Sequence, residues 1–286
     1  MAGKKRNSGR NYRGKKTSAF SFWKGCLSFF LLVFILVLGI IAYEYRDGFL
    51  YYLGFKTNKN IDDLSPSERK IADIRIYEVL QKHADKVYGF DVSEYQGTID
   101  WNDLGKVEDT FDLSFVFVRA TAGKDRVDSR FKENWEGARD AELVRGAYHY
   151  YRPNENSLEQ AQNFIATVPL GVGDLPPVLD IEQLPKKQSI DSLKVGLRRW
   201  LTTVENHYKV KPIIYSGESY YNDFLKESFS DYPFWIANYN FWRQEPDAHW
   251  LLWQFTEKAK VEGVPSMIDL NVFNGSKIDL RNHIMY

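Results

Sequence analysis

The chain has 286 residues, with 38 Lys+Arg balanced by 38 Asp+Glu. Hydrophobic content of 44% and a complement of 19 Phe, 18 Tyr and 8 Trp exclude a mostly disordered polypeptide. The single Cys26 excludes an intrachain disulfide, a Cys-based zinc site and a catalytic thiol in the globular part.

The zero net charge averages unlike segments. Residues 1–43 carry eight basic residues and no acid, residues 44–86 carry eight of each, and residues 87–286 carry 22 basic and 30 acidic residues. The last segment is long enough for one domain with a large core, and its acidity disfavours a nucleic-acid partner.

Gly25 to Tyr43 is a 19-residue run without a charge. At about 1.5 Å per residue a helix of this length spans roughly 28 Å, close to one bilayer core. Lys4, Lys5, Arg6, Arg10, Arg13, Lys15, Lys16 and Lys24 precede it. Basic flanks stay on the cytoplasmic side, so the expectation is a single-pass membrane protein with residues 1–24 as a cytoplasmic tail and 25–43 as a transmembrane signal anchor. The C-terminal part would then lie outside the cytoplasm. A cleaved secretory signal is the alternative; against it stand the length of the apolar run and the poor small-residue site near Ala42.

Residues 44–86 read as a stalk with a short helix. Ser65-Pro66-Ser67-Glu68 has the pattern of a capping box, and Ala72, Ile76, Val79 and Leu80 recur at helical spacing. The helix either packs on the neighbouring domain or dimerises.

From residue 87 short apolar runs alternate with amphipathic segments. Eight candidate strands are Val87–Val92, Leu113–Ala120, Val144–Tyr150, Pro177–Glu182, Pro212–Ser216, Pro233–Asn238, Trp250–Thr256 and Ser266–Val272. Helical stripes lie between the early ones: Phe131, Trp135 and Ala138; a helix opened by a capping box at Ser157 and running through Val168; and Leu193, Leu197, Trp200, Leu201, Val204 and Tyr208. Ser219–Glu227 allows only a short helix, and the last three strands are joined without helical period. Such alternation implies parallel βαβ units, and eight strands imply closure as a barrel whose final third has lost its helices. An open doubly wound sheet is the alternative, but residues 91–97 do not form the Gly-rich phosphate turn it would want.

Parallel barrels carry their chemistry at the C-terminal strand ends. Those ends hold Asp91, the pair Asp180 and Glu182, and Asp269. By the two-residue strand period, Val178, Asp180 and Glu182 share one face, which would point the two acids into the barrel mouth, while Leu179 and Ile181 face the helices. Two adjacent carboxyls in a partly dry site raise one another's pKa, as general acid catalysis at neutral pH requires. The competing reading is a pair of solvated loop acids. Neither a metal nor a cofactor is implied: His149, His207 and His249 lack ligand spacing, and His149 reads as a structural or subsite residue. Tyr95, Tyr148, Tyr150, Tyr215, Trp235, Tyr239 and Trp253 fall near the same ends, as rings lining a sugar cleft would. Trp242 also falls there.

Asp91-Val92-Ser93-Glu94-Tyr95-Gln96-Gly97-Thr98-Ile99-Asp100-Trp101 resembles the opening motif of glycoside hydrolase family 25, the Chalaropsis-type lysozymes. Matches continue in order through 117–123, 146–149, 175–182, 212–215, 235–239, 253–256 and 269–273. The resemblance implies an incomplete (β/α)5(β)3 barrel over 87–286 that hydrolyses the β-1,4 bond between N-acetylmuramic acid and N-acetylglucosamine in peptidoglycan. It implies Glu182 as general acid with Asp91, Asp180 and Asp269 as supporting carboxylates. Ala141-Glu142 departs from it, since the family often has Ala-Gly there. The rival functions are a non-catalytic glycan-binding envelope protein and a hydrolase of another N-acetylated polysaccharide.

Overall fold

The computed structural model describes residues 28–37, 39 and 66–285. The chain divides into two compact units, Met1–Thr57 and Asn58–Tyr286. In the first, residues 28–37 are helical, and their apolar side chains from Phe29 to Val37 are exposed. Most of the 25–43 run, the basic tail 1–24, the linker up to 65 and Ser65 of the expected capping box lie outside the described residues. Among the described residues no helix is long and apolar enough to cross a membrane.

The second unit is a closed barrel. Its strands are β1 (Val87–Val92), β2 (Phe115–Ala122), β3 (Arg126–Val127), β4 (Val144–Tyr150), β5 (Val178–Asp180), β6 (Ile213–Gly217), β7 (Phe234–Ala237), β8 (Trp250–Ala259) and β9 (Ile268–Phe273). The order is β1-β9-β8-β7-β6-β5-β4-β2-β3, and β1 pairs with β2 to close the ring. Strand β3, absent from the sequence reading, is a two-residue hairpin arm folded back on the end of β2. The helices are α1 (Pro66–Lys82), α2 (Phe131–Asp140), α3 (Ser157–Thr167), α4 (Ile190–Tyr208) and α5 (Lys277–His283). A helical turn (Glu218–Tyr220) running into a π-helical one (Tyr221–Leu225) fills the place of the short helix expected after β6.

The (β/α)5(β)3 architecture is therefore present, with one difference of direction. Strand β9 runs antiparallel to both neighbours, β8 and β1, whereas all other neighbouring barrel strands are parallel. Asp269 accordingly stands at the start of its strand, not its end, and reaches the barrel mouth because that strand is reversed.

Strand period two sorts the core into two layers. Leu179 and Ile181 join Leu193, Leu197, Trp200 and Phe164 between sheet and helices. Val178, Phe115, Phe117, Trp235 and Phe273 fill the barrel interior. Gly89 and Gly146 make room for the two interior phenylalanines: a Cβ on Gly89 would lie 2.3 Å from the Phe115 ring, and one on Gly146 2.4 Å from Phe117.

Three local expectations change. The α3 N-cap is Asn156, whose side chain accepts from the Leu158 and Glu159 amides, so Ser157 is the first helical residue. Helix α5 was not anticipated; Ser276 and Asp279 form its capping box. Glu142, where the resembled family often has Gly, sits at φ 60°, a left-handed conformation that costs a side-chain-bearing residue about 1 kcal/mol.

Helix α1 packs on the barrel. Ile76, Val79 and Leu80 are buried in the outer core layer. The Tyr88 hydroxyl lies 2.5 Å from the Leu80 carbonyl oxygen and 2.6 Å from that of His83 and shares its one proton between them, tying the C-terminal end of the helix to β1.

Candidate active site

Below the mouth the barrel interior is apolar. At the mouth, the same strand faces turn polar within one or two residues. Asp91 comes from β1, Arg119 from β2, Tyr148 and Tyr150 from β4, Asp180 from β5, Tyr215 from β6, Trp235 from β7, Gln254 from β8, and Asp269 and Asn271 from β9. Asp91, Asp180, Glu182, Asp269, Tyr148, Tyr215 and Trp235 line a cavity of about 80 Å³. It opens into a groove of about 370 Å³, walled further by Tyr95, Arg119, Arg126, Tyr150 and Arg152. All four sequence-derived carboxyls thus converge on one site.

Asp91 and Asp269 are direct cross-strand partners in the β1–β9 ladder. Asp91 Oδ2 accepts from Gln254 Nε2 and from Asn271 Nδ2, both at 2.8 Å. Gln254 Nε2 also lies 3.4 Å from Asp269 Oδ2. Burial pushes the Asp91 carboxyl up to about 6, against the pull of its amide donors. Burial, and then the Asp91 charge beside it, hold Asp269 well above the ordinary carboxylate range. Of the two, Asp269 is therefore the member that holds its proton to higher pH, hydrogen-bonded to Asp91.

The amides are themselves fixed. Asn271 Oδ1 accepts from Trp235 Nε1 at 2.8 Å, and Gln254 Oε1 accepts from the Tyr215 hydroxyl at 2.8 Å and from that of Tyr239. Gln254 and Asn271 were passed over as site residues. Period two could have found them, since Leu252 and Gln254 share one face of β8, and Asp269 and Asn271 one face of β9.

The aromatic expectations divide. Tyr148, Tyr215 and Trp235 line the cavity, and Tyr95 and Tyr150 the groove. Tyr239 acts through its hydroxyl on Gln254. Trp253 does not reach the site: it is fully buried in the outer layer, with Nε1 bonded to the Asn238 carbonyl at 3.0 Å. Adjacent to inward Gln254, it must point outward. Trp242 is 73% exposed on the loop after β7. Burial pushes the Tyr150 phenol up to about 12 and raises Tyr148 well above its usual value, so both remain neutral hydrogen-bond donors.

The groove wall is built on Arg119. Its Nε lies 2.8 Å from Asp128 Oδ2 and its Nη2 3.0 Å from Glu94 Oε1, while the guanidinium stacks 4.5 Å from the Tyr95 ring centroid. Tyr95 is carried on the turn Glu94–Gln96, capped by Ser93. Sequence reading missed this network because Arg119 and Glu94 look like ordinary surface charges until β1 and β2 pair.

His149 lies on the outer face of β4, between the sheet and the helices. Gln160 Nε2 donates to the Arg152 and Glu155 carbonyls, so its Oε1 must accept, and His149 Nε2 donates to it at 3.1 Å. His149 Nδ1 then accepts from the Thr121 hydroxyl at 2.7 Å. Burial lowers its pKa to about 3, and it serves as a neutral structural bridge. Among the described residues no group of three His, Cys, Asp or Glu side chains is placed to hold a metal ion.

The acid pair carries a stability cost with a definite sign. A carboxyl whose pKa is raised on folding binds protons that the unfolded chain has released, so stability falls as pH rises above about 4. Asp269→Asn keeps a hydrogen-bond donor to Asp91 and removes the titration. Its stability relative to the parent should therefore rise progressively from pH 4 to pH 7. Thermal melts of both proteins across pH 4–8 measure this, and a difference that does not change with pH would contradict the proton on Asp269.

Comparison with known proteins agrees with this geometry. Residues 90–264 match the family profile of glycosyl hydrolases family 25. Protein YegX of Escherichia coli is 40% identical over 197 residues, 68% of this chain and 72% of that protein. Lysozyme M1 of Streptomyces globisporus is 31% identical over 205 residues, 66% of this chain and 68% of that enzyme. The crystal structure of the bacterial lysozyme from Streptomyces coelicolor superposes with a TM-score of 0.62 at 29% identity, covering 70% of this chain and 97% of that one. A family 25 glycosyl hydrolase from Bacillus anthracis gives a TM-score of 0.61 at 28% identity, over 71% of this chain and 95% of that one. With the profile spanning more than half its length and the carboxyl-lined barrel mouth in place, the chain belongs to glycosyl hydrolases family 25.

Proposed function

We propose that the protein is a membrane-anchored muramidase that cleaves the β-1,4 bond between N-acetylmuramic acid and N-acetylglucosamine in peptidoglycan. The observation that carries this reading is the convergence of Asp91, Asp180, Glu182 and Asp269 on one cavity opening into a groove walled by tyrosines and arginines. The similarity to lysozyme M1 supports the substrate class.

In this reading Glu182 protonates the leaving oxygen. Asp180 ends β5 and Glu182 follows two residues on, just past the strand rather than within it as the sequence implied; both line the cavity from the same strand end and approach the sugar from one side. A carboxylate nucleophile would have to attack from the opposite side. The 2-acetamido carbonyl of the substrate can do so instead, with Asp180 orienting its N–H. Asp91, the ionised member of the Asp91–Asp269 pair, supplies negative charge to the oxocarbenium-like transition state. The acetamido route gives net retention.

Glu182→Gln keeps shape but cannot donate the proton, so wall-lysing activity should fall roughly 10²–10⁴-fold, with the fold unchanged by circular dichroism. Near-normal lysis would rule out Glu182 as the acid. Proton NMR of the first-formed product on a wall fragment should show the β-anomer, and an initial α-anomer would replace the acetamido route with direct attack by water.

The anchor reading rests on the uncharged run 25–43, the eight basic residues before it and the exposed apolar helix at 28–37. It places the barrel outside the cytoplasm. A reporter active only outside the cytoplasm, fused after Tyr286, should be active; activity of a cytoplasm-only reporter at that site would refute the topology.

A further inference from the structure

Helix α1 lies ahead of the family-matched residues 90–264, yet it bonds to the rim of the site. Arg75 is buried and donates from Nη1 to the Tyr239 carbonyl at 2.8 Å and from Nη2 to the Asn240 carbonyl at 2.9 Å. About two turns on, at the end of the helix, Lys82 Nζ meets Glu245 Oε1 at 2.8 Å, and His83, just past it, has Nε2 2.8 Å from the Gln244 carbonyl. All four contacts fall on the loop between β7 and β8, residues 238–249. That loop has no helix of its own to fix it, because this part of the barrel has lost its helices.

The same loop begins the chain of bonds to the catalytic carboxyls. The Tyr239 hydroxyl donates to Gln254 Oε1, and Gln254 Nε2 donates to Asp91 Oδ2 at 2.8 Å. A guanidinium holding two consecutive carbonyls in a fixed fork sets the direction of the peptide between them, and so the height of the Tyr239 ring over the mouth. We infer that Arg75 is a positioning residue of the hydrolase, acting through the β7–β8 loop and Tyr239 to set the Gln254 amide on Asp91, so that α1 is a working part of the active site. The inference rests on the muramidase reading for its kinetic consequence, but not for its geometric one.

The test uses the full chain in detergent micelles, with Arg75→Ala, Tyr239→Phe and the double variant. Small displacements transmitted from outside a site cost up to about 100-fold; here kcat of Arg75→Ala and of Tyr239→Phe should each fall about tenfold, with KM within about twofold of the parent. Because both act along one line, the double variant should be no worse than the more impaired single variant. Arg75→Lys, which can still reach one carbonyl, should recover part of kcat.

A second arm needs no catalysis. Asp91 faces Asp269, Glu182 and Tyr148 as well as the amides of Asn271 and Gln254. Loosening Gln254 removes a donor that favours the ionised form, so the carbon-NMR titration midpoint of the Asp91 carboxyl should rise from about 6 in both single variants, and no further in the double. Unchanged kcat in Arg75→Ala, multiplicative losses in the double variant, or an unmoved Asp91 titration would each overturn the inference. If the parent chain fails to hydrolyse peptidoglycan, the muramidase reading fails and the titration alone decides. If Arg75→Ala does not fold, Arg75→Lys, which keeps one of the two carbonyl contacts, carries both arms: partial loss of kcat with a raised Asp91 midpoint supports the inference, and unchanged values overturn it.

Discussion

The antiparallel ladder between β1 and β9 closes the barrel, and the site's electrostatics follow from it. Its register sets Val87 opposite Phe273 at one end and Asp91 opposite Asp269 at the other. Backbone hydrogen bonds hold those two carboxyls together in a buried place, so they cannot relieve their repulsion by moving apart. Protonation of one member is the remaining relief, and it falls on Asp269 because Asp91 receives the two amide donors.

That arrangement opposes stability, and the barrel compensates around it. Below the acids, Phe115, Phe117, Val178 and Trp235 form a dry interior made possible by glycines at 89 and 146. Beside them, Trp235, Tyr215 and Tyr239 each direct one polar atom at an amide that in turn supports Asp91. A buried carboxyl network is tolerated when its lone pairs and protons are satisfied, and costly when they are not. The result is a set of preorganised charges at the end of a rigid scaffold, which is how electrostatic stabilisation of a developing cation is achieved without reorganisation.

The groove depends on contacts between loops that are distant in the chain. Arg119 on β2 gathers Glu94 and Asp128 and supports the Tyr95 ring, giving the exposed aromatic a fixed platform. Helix α1 does comparable work on the opposite rim through Arg75, Lys82 and His83. Both devices lock loops at the mouth that no α-helix of their own holds in place. They concentrate rigidity where a glycan chain would be gripped.

Much of this was legible in the sequence by itself. Strand–helix alternation and the loss of helical period after Glu227 point to a barrel whose final third lacks helices, because apolar periodicity reports which face of each element is buried, and the family resemblance narrows this to the (β/α)5(β)3 architecture. The same period two in Val178-Leu179-Asp180-Ile181-Glu182 separates core from mouth, and the ordered motifs from Asp91 to Phe273 identify the four carboxyls. Tertiary structure alone decided the rest. The direction of β9, and with it the facing of Asp269 and Asp91, depends on barrel closure, which no local pattern encodes. Trp253 reads as a cleft ring until the register of β8 turns it outward. Arg75, Arg119, Gln254 and Asn271 acquire their roles through partners as far as 180 residues away in the chain. Hydrogen bonds over such separations are set by the packing of whole elements, whereas a sequence pattern records only the neighbours within a strand or a few helical turns.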